Sequence, residues 1–156
     1  MNPVGKLCWQ REFETGIGEI DLQHRTLLKL FNKVNLELRE DSSSAVWERI
    51  LHELLGYALY HFWCEEDLAR QYGYDQEKHT DATAHFDEHL SFAETINDLR
   101  ARLRAGERLA KATLIDFLRD WLARHITDSD QWLVAHILEK QRLAGERIAA
   151  SARTQA

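Results

Sequence analysis

Histidine is unusually frequent in this sequence, with eight copies among 156 residues. Its side chain is the commonest metal ligand in proteins. The densest pattern is His85-Phe86-Asp87-Glu88-His89, in which two histidines four residues apart share one helix face and can bind one metal ion. The same segment matches the H-x-x-E-H pattern of inverted zinc peptidases, whose glutamate acts as a base. It therefore predicts a metal site, with a zinc peptidase as one alternative.

Two other segments carry candidate ligands at helical spacing. His61 and Glu65 are four residues apart and share a helix face. His125 and Asp130 are five apart, a step that an ideal α-helix turns to about 140° around its axis. A π-bulge would bring such a pair together, and π-bulges are frequent at functional sites. We therefore predict a helix distortion between His125 and Asp130.

The remaining histidines differ in their prospects as ligands. His24 stands alone on an apolar face, so its prediction as a ligand depends on inward-facing ligands from the other segments. His52 is predicted to face solvent, and His79 is predicted to lie in a loop. His136 is about 16 Å from His125 along a helix axis, too far to share its site.

Five histidines and two carboxylates remain as metal ligands. One zinc ion needs three or four ligands, so seven are too many for a single zinc site. They suit two metal ions bridged by the carboxylates, and imidazole together with carboxylate fits iron. No histidine here follows a glutamate by three residues, unlike the ligands of ferritin-like di-iron proteins. The predicted ligands are His24, His61, Glu65, His85, His89, His125 and Asp130.

Apolar residues recur at steps of three and four, which indicates amphipathic helices. An irregular segment is expected up to Gly18, with Trp9, Phe13 and Ile17 as anchors, followed by a helix from Asp21. Residues 41–44 end that helix and offer an N-cap to the next. Further helices are predicted over 45–71 and 81–105, with a loop over 72–80 and Gly106 as a stop. A fourth helix begins between 107 and 113 and passes residue 132.

This pattern predicts an all-α fold, an up-down-up-down four-helix bundle with an extended C-terminal helical tail. The predicted division is a metal-binding domain over 1–135 and a helical tail or linker over 136–156. The composition is globular, with 44% hydrophobic and 29% charged residues. A net charge of -6 argues against nucleic acid or an anionic membrane surface as a partner.

Other features favour a cytoplasmic protein. No run of about 18 apolar residues occurs, and residues 1–10 lack the layout of a signal peptide. The two cysteines, Cys8 and Cys64, do not form a disulfide framework, and Cys64 is expected to be a small buried residue.

The ordered motifs resemble those of bacterial hemerythrins over about residues 9–132. The resemblance is carried by segments whose order and separations are specific only when taken together. They are Thr15-Gly16-Ile17 with Ile20-Asp21-x-Gln23-His24, His61-Phe62-x-x-Glu65-Glu66, Tyr72 and Tyr74, His85-x-x-Glu88-His89-x-x-Phe92, and Asp120-Trp121-Leu122-x-x-His125-Ile126-x-x-x-Asp130. The chain departs from the family at Ala69, where methionine is common, and at Cys64.

The resemblance implies two non-haem iron ions and reversible binding of O2. One iron would be held by His85, His89 and His125 and would have no open coordination position. The other would be held by His24 and His61 and would keep one coordination position open for O2. Glu65 and Asp130, with an oxo or hydroxo group, would bridge the irons. The candidates for an apolar O2 pocket are Leu27, Phe62, Leu122 and Ile126, for which ordinary bundle packing is the alternative.

The same resemblance implies a binding protein, not an enzyme, and leaves two roles open. One is oxygen storage or transport. The other is oxygen or redox sensing, in which the helical tail connects to a dimer partner or a downstream signalling domain.

Overall fold

Helices account for the regular structure throughout the part of the chain that the computed structural model describes, residues 5–155. The all-α prediction is therefore confirmed for this range. A 3₁₀ helix and six α-helices follow one another along the chain. They are the 3₁₀ helix Arg11–Phe13, α1 Gly18–Glu37, α2 Ser44–Gln71, α3 Tyr74–Glu77, α4 His79–Arg104, α5 Lys111–Thr127 and α6 Ser129–Thr154.

Four long segments form the bundle, because each presents one apolar face to the others. Helices α1, α2 and α4 supply three of them, and α5 with the first turns of α6 supplies the fourth. Short connections place successive long helices antiparallel, as in other up-and-down bundles. Of residues 5–155, no helix has the length and apolar content to cross a membrane.

The core consists of two apolar clusters of unequal size. The larger one lies between α1, α2, α4 and α5 and includes Phe31, Leu51, Ile96 and Leu118, all without solvent exposure. The smaller one is formed where α6 meets α2, α3 and α4. Its buried members are Ala69, Tyr74, Ala82, Leu133 and Ile137.

The ends of the helices agree in part with the sequence-based expectations. The Ser43 hydroxyl accepts a hydrogen bond from the Val46 amide, so residues 41–44 do supply the N-cap of α2. Gly106 has a φ of +87° and follows Ala105, the C-cap of α4, which confirms it as a helix stop. The Gly106 amide donates to the Leu103 carbonyl, and the Glu107 amide donates to the Arg102 carbonyl. These two hydrogen bonds form a Schellman motif.

The predicted loop over 72–80 is wrong, because most of it is helical. Gly73 takes a left-handed φ of +69° and ends α2. The chain then enters the short helix α3, whose Tyr74 side chain is buried in the smaller cluster, and α4 begins at His79. Burial of this one aromatic ring gives the segment a packed position that its polar composition did not indicate.

The N-terminal segment is irregular apart from the 3₁₀ helix, as predicted, and its aromatic anchors are in place. Phe13 is buried, and Trp9 packs on it edge-to-face with ring centroids 6.0 Å apart. The first residues of this segment, 1–4, lie outside the described range, as does Ala156 of the tail.

The C-terminal tail continues α6 without interruption to Thr154. Its last buried residue is Ile137, and residues 144–155 are exposed. The boundary between domain and tail near residue 135 stays a prediction.

Replacing Gly106 with alanine tests the left-handed stop of α4. We expect Gly106→Ala to destabilise the chain by about 1 kcal/mol, because an L-residue is disfavoured at positive φ. Its new methyl group would meet nothing within 4 Å, so the backbone alone carries this cost. The matched control is Gly56→Ala inside α2, where open space also surrounds the new methyl group, and a gain of about 0.5–1 kcal/mol is expected. Urea unfolding of both variants checks the opposite signs; a destabilised Gly56→Ala would contradict this account of the helices.

Candidate metal centre

All seven predicted ligands lie together in the interior of the bundle, although they come from five helices. Each is between 0% and 3% exposed to solvent. Helix α1 supplies His24, α2 supplies His61 and Glu65, α4 supplies His85 and His89, α5 supplies His125, and α6 supplies Asp130.

The seven side chains divide into two groups that share their carboxylates. Within each group, ligand atoms from every member lie within 4.8 Å of one another. The three-histidine group contains His85, His89 and His125, and the two-histidine group contains His24 and His61. Glu65 and Asp130 belong to both. Two adjoining positions for metal ions therefore follow from the arrangement of the side chains alone.

Glu65 presents a different oxygen to each group. Its Oε1 atom lies 3.5 Å from His61 Nε2 and 3.8 Å from His24 Nε2. Its Oε2 atom lies 3.2 Å from His89 Nε2 and 3.5 Å from His85 Nε2. A carboxylate that offers one oxygen to each of two histidine groups has the orientation of a bridging ligand.

Asp130 of α6 repeats this division. Its Oδ2 atom is 2.9 Å from His24 Nε2, and its Oδ1 atom is 2.9 Å from His125 Nε2 and 3.0 Å from His85 Nε2. Two independent carboxylates thus assign the same histidines to the same two groups.

The spacing of the ligand atoms fits metal ions better than a network of hydrogen bonds. Adjacent ligands about 2.1 Å from an octahedral ion are about 3.0 Å apart, close to the shorter distances here. His89 Nε2 and His125 Nε2 face each other at 3.1 Å. Within the described chain, both oxygens of Glu65 and of Asp130 are buried without a hydrogen-bond donor. Buried charged atoms of this kind are normally paired or bound to metals.

The two carboxylates make the centre a strong site for cations. Burial acts to raise the pKa of Glu65, but the surrounding imidazoles, His61 first, hold it well below its usual value. Burial acts to lower the pKa of His24 and of His85, yet the adjacent carboxylates of Asp130 and Glu65 outweigh it and raise each pKa to about 9. Burial dominates at His61 and lowers its pKa to about 4.

A break in the fourth helical segment brings Asp130 beside His125. Helix α5 ends at Thr127, Asp128 has φ −110° and ψ −79°, and α6 begins at Ser129. The predicted distortion is therefore confirmed, although it is a break at one residue and not a π-bulge. The break offsets the rotation that a five-residue step would give in a continuous α-helix. As a result, His125 Nε2 and Asp130 Oδ1 lie 2.9 Å apart.

Comparison with known proteins identifies the family of this chain. The family model described as "Hemerythrin HHE cation binding domain" matches residues 15–137. The chain belongs to the hemerythrin family. The bacteriohemerythrin of Stenotrophomonas maltophilia is 32% identical over 125 residues, which cover 80% of this chain and 77% of that protein. The bacteriohemerythrin of Methylococcus capsulatus is 32% identical over 120 residues, covering 77% and 87%.

Solved hemerythrin structures share the fold. The crystal structure of wild-type hemerythrin aligns with a TM-score of 0.71 at 28% identity, covering 84% of this chain and 97% of that one. A leucine-to-tyrosine variant of hemerythrin aligns with a TM-score of 0.73 over 84% and 96%.

Three of the five histidines in this candidate centre are oriented by side chains behind them. His125 Nδ1 lies 2.6 Å from Glu88 Oε2, and His89 Nδ1 lies 3.0 Å from Glu66 Oε1. His61 Nδ1 lies 2.7 Å from Gln23 Oε1. An Nδ1–H that donates to each acceptor leaves the Nε2 lone pair directed into the centre.

These orienting roles were not predicted from the sequence. Glu66 and Glu88 each stand beside a predicted ligand in the chain, which is a usable signal, but each orients a histidine of another helix. Glu88 also accepts from the Ser129 hydroxyl at 2.8 Å, which ties α4 to the start of α6.

The other histidines lie away from the centre. His52 and His79 are exposed, and His79 begins α4 instead of lying in a loop. His136 Nε2 donates to the Tyr72 carbonyl at 2.8 Å, so it supports the connection after α2.

The four predicted pocket residues, Leu27, Phe62, Leu122 and Ile126, are buried in the larger apolar cluster. Phe62 stacks on His89, with ring centroids 4.0 Å apart and an interplanar angle of 8°. Their role as an O2 pocket stays a prediction.

Glu88→Ala tests whether orientation of His125 matters for metal binding. Loss of such an acceptor typically weakens metal affinity by about 10–100-fold. Glu94→Ala is the control, since it removes an exposed glutamate from the same helix without touching a ligand. Competition with a chromophoric chelator measures both affinities. Equal affinities in the two variants would mean that Glu88 has no orienting role.

Proposed function

We propose that this chain binds two iron ions at the seven-ligand centre and binds O2 there reversibly. The observation that carries this proposal is the division of carboxylate oxygens between two histidine groups. Each of the two carboxylates directs one oxygen to the three-histidine group and the other oxygen to the two-histidine group. Membership of the hemerythrin family and the imidazole-carboxylate donor set support iron as the metal.

The unequal histidine groups support different coordination of the two proposed iron ions. Counting the shared carboxylates, the three-histidine group offers five protein ligands and the two-histidine group offers four. The two-histidine side is therefore the side that we propose to leave a position open for O2. The iron pair, when bound, supplies the electrons and the coordination position that O2 binding requires.

The residues around the centre would protect it from water. The larger apolar cluster contains Leu27, Phe62, Leu122 and Ile126, whose exposure is 3%, 3%, 3% and 1%. An apolar enclosure admits O2, which is small and uncharged, but disfavours ions and the separation of charged products. We propose that these four side chains form this enclosure.

The position of Glu88 argues against the zinc peptidase alternative. A catalytic base in that mechanism must face the water that the metal activates. Here Glu88 lies behind the His125 ring, where it accepts from Nδ1 and from the Ser129 hydroxyl. A binding protein without turnover uses all seven ligands, whereas the peptidase leaves four of them without a role.

A second role, sensing, is favoured by the continuity of α6. The ligand Asp130 is the second residue of this helix, which then runs to Thr154 beyond the buried part of the bundle. A displacement of Asp130 would therefore be carried along one helix to an exposed end. We propose this as the route by which the state of the centre could reach a dimer partner or downstream domain.

His61→Ala tests the ligand assignment against a matched control on the same helix. We expect two iron ions per wild-type chain and a lower content in His61→Ala, because the two-histidine group loses half of its imidazoles. His52→Ala should keep full iron content, since His52 is exposed. Iron analysis and thermal unfolding of the reconstituted proteins measure this. Full iron loading of His61→Ala would overturn the assignment.

The visible spectrum of the iron-loaded chain tests O2 binding and separates the two roles. Reversible appearance and loss of an oxygenated band on cycling O2 is expected. An oxygenated form that persists for hours, with an unchanged tail, assigns the chain to storage. Rapid conversion to the diferric form, together with altered proteolysis of residues 144–155, assigns it to sensing. A spectrum that does not respond to O2 would refute the proposed function.

A further inference from the structure

A cleft of about 580 Å³ opens between α4 and α5 and reaches one proposed iron ligand from outside. Trp121 and His125 are among its lining residues. Glu88 and Ser129, whose hydrogen bonds orient His125, also line it. The protein surface therefore comes close to the centre on its three-histidine side.

Trp121 makes the contact between this cleft and the centre. Its indole ring stacks on the His125 imidazole, with centroids 4.2 Å apart and an interplanar angle of 19°. The Trp121 side chain is half-buried, so part of it remains accessible. Among the residues described, no other tryptophan or tyrosine ring is in ring contact with a proposed ligand.

The two-histidine side offers no comparable route. His24 and His61 are 0% exposed, and within residues 5–155 their only ring contacts are with each other and with the buried Phe62. O2 can cross an apolar interior, whereas a charged donor of electrons cannot enter it without a large desolvation cost. Electrons must instead cross from the surface, and electron transfer weakens steeply with distance.

The charged residues around the cleft favour a positively charged electron donor. Asp87, Glu88 and Asp128 contribute carboxylates to the lining, and Arg124 contributes its one guanidinium. Three carboxylates against one guanidinium attract cations and raise their local concentration.

We propose that Trp121 is the electron-entry residue of the centre, conducting electrons from a cationic one-electron donor in the cleft to His125. This inference rests on the proposed function, in which the oxidised centre must return to the ferrous state. Two donor molecules each lose one electron, and two ferric ions each gain one. No covalent bond of the chain forms or breaks, and protons taken up from solvent offset the added charge.

Reduction kinetics of the iron-loaded chain test this role. The diferric protein is mixed anaerobically with the methyl viologen radical cation, and the loss of its visible absorbance is followed by stopped flow. Trp121→Leu removes the stacked ring and should slow reduction several-fold, whereas Trp121→Phe keeps a ring and should slow it less. Trp63→Phe is the matched control and should react at the wild-type rate. Trp63 is 62% exposed and lines a groove beside His89, but it has no ring contact with a ligand.

A binding measurement on the metal-free chain gives a second readout. Oxidised methyl viologen quenches tryptophan fluorescence on contact. We expect Trp121→Phe to lose a component that is quenched at low viologen concentration, and Trp63→Phe to retain it. Asp87→Asn should weaken this quenching more than Asp98→Asn, which removes the same charge from α4 outside the cleft.

Iron content and the visible spectrum of every variant are measured first. A wild-type chain without two irons overturns the proposed function and this inference with it. A normal iron centre whose reduction rate is the same in Trp121→Leu and wild type overturns the inference alone. Equal slowing by Trp63→Phe would do so as well, because it would place electron entry on the α2–α4 side.

Discussion

The arrangement of the interior depends on two buried carboxylates that face five imidazoles. Removing a carboxylate from water costs several kcal/mol even after the protein relaxes, and a partner of opposite charge must offset this cost. Glu65 and Asp130 are 0% exposed, and none of their four oxygens has a hydrogen-bond donor in the described chain. In the metal-free chain, positive charge on the facing imidazoles offsets their charge, and at the proposed centre metal ions would do so. The same carboxylates join α2 and α6 to the histidines of α1, α4 and α5.

Apolar residues lie on both sides of the seven candidate ligands along the helices. On α2, Phe62 belongs to the larger cluster and Ala69 to the smaller, with Glu65 between them. On α4, Phe92 and Ala82 enclose the ligand pair in the same way. The centre is therefore a polar layer between two apolar layers. Its low-dielectric surroundings strengthen every interaction between a carboxylate and a cation.

The sequence was sufficient to predict the bundle and the grouping of the candidate ligands, because both follow from helical periodicity. His61 and Glu65, and His85 and His89, are four residues apart, and that spacing alone fixes their common faces. The five-residue step from His125 to Asp130 predicted a distortion, but its form depended on α6 restarting at Ser129, which bonds to Glu88 of α4. A tertiary contact of this kind leaves no local signal.

The other discrepancies have the same physical origin. The segment over 72–80 is polar and contains Gly73, so local pattern indicated a loop, yet burial of Tyr74 against α6 made it helical. The acceptors behind His89 and His125 come from neighbouring helices, and their pairing depends on how the helices are rotated against each other. Periodicity fixes which residues face inward, but not which of them meet.

The two sides of the centre differ in ways that bear on its chemistry. On the three-histidine side, His89 and His125 are held by partly exposed carboxylates, and the indole stacked on His125 lines a surface cleft together with it. On the two-histidine side, His61 is held by the neutral, buried Gln23, and His24 is 0% exposed. A carboxylate acceptor makes an imidazole a stronger electron donor to its metal than a neutral amide does. In the proposed iron centre, the three-histidine side would therefore stabilise the ferric state and exchange electrons, and the two-histidine side would bind a small neutral molecule away from water.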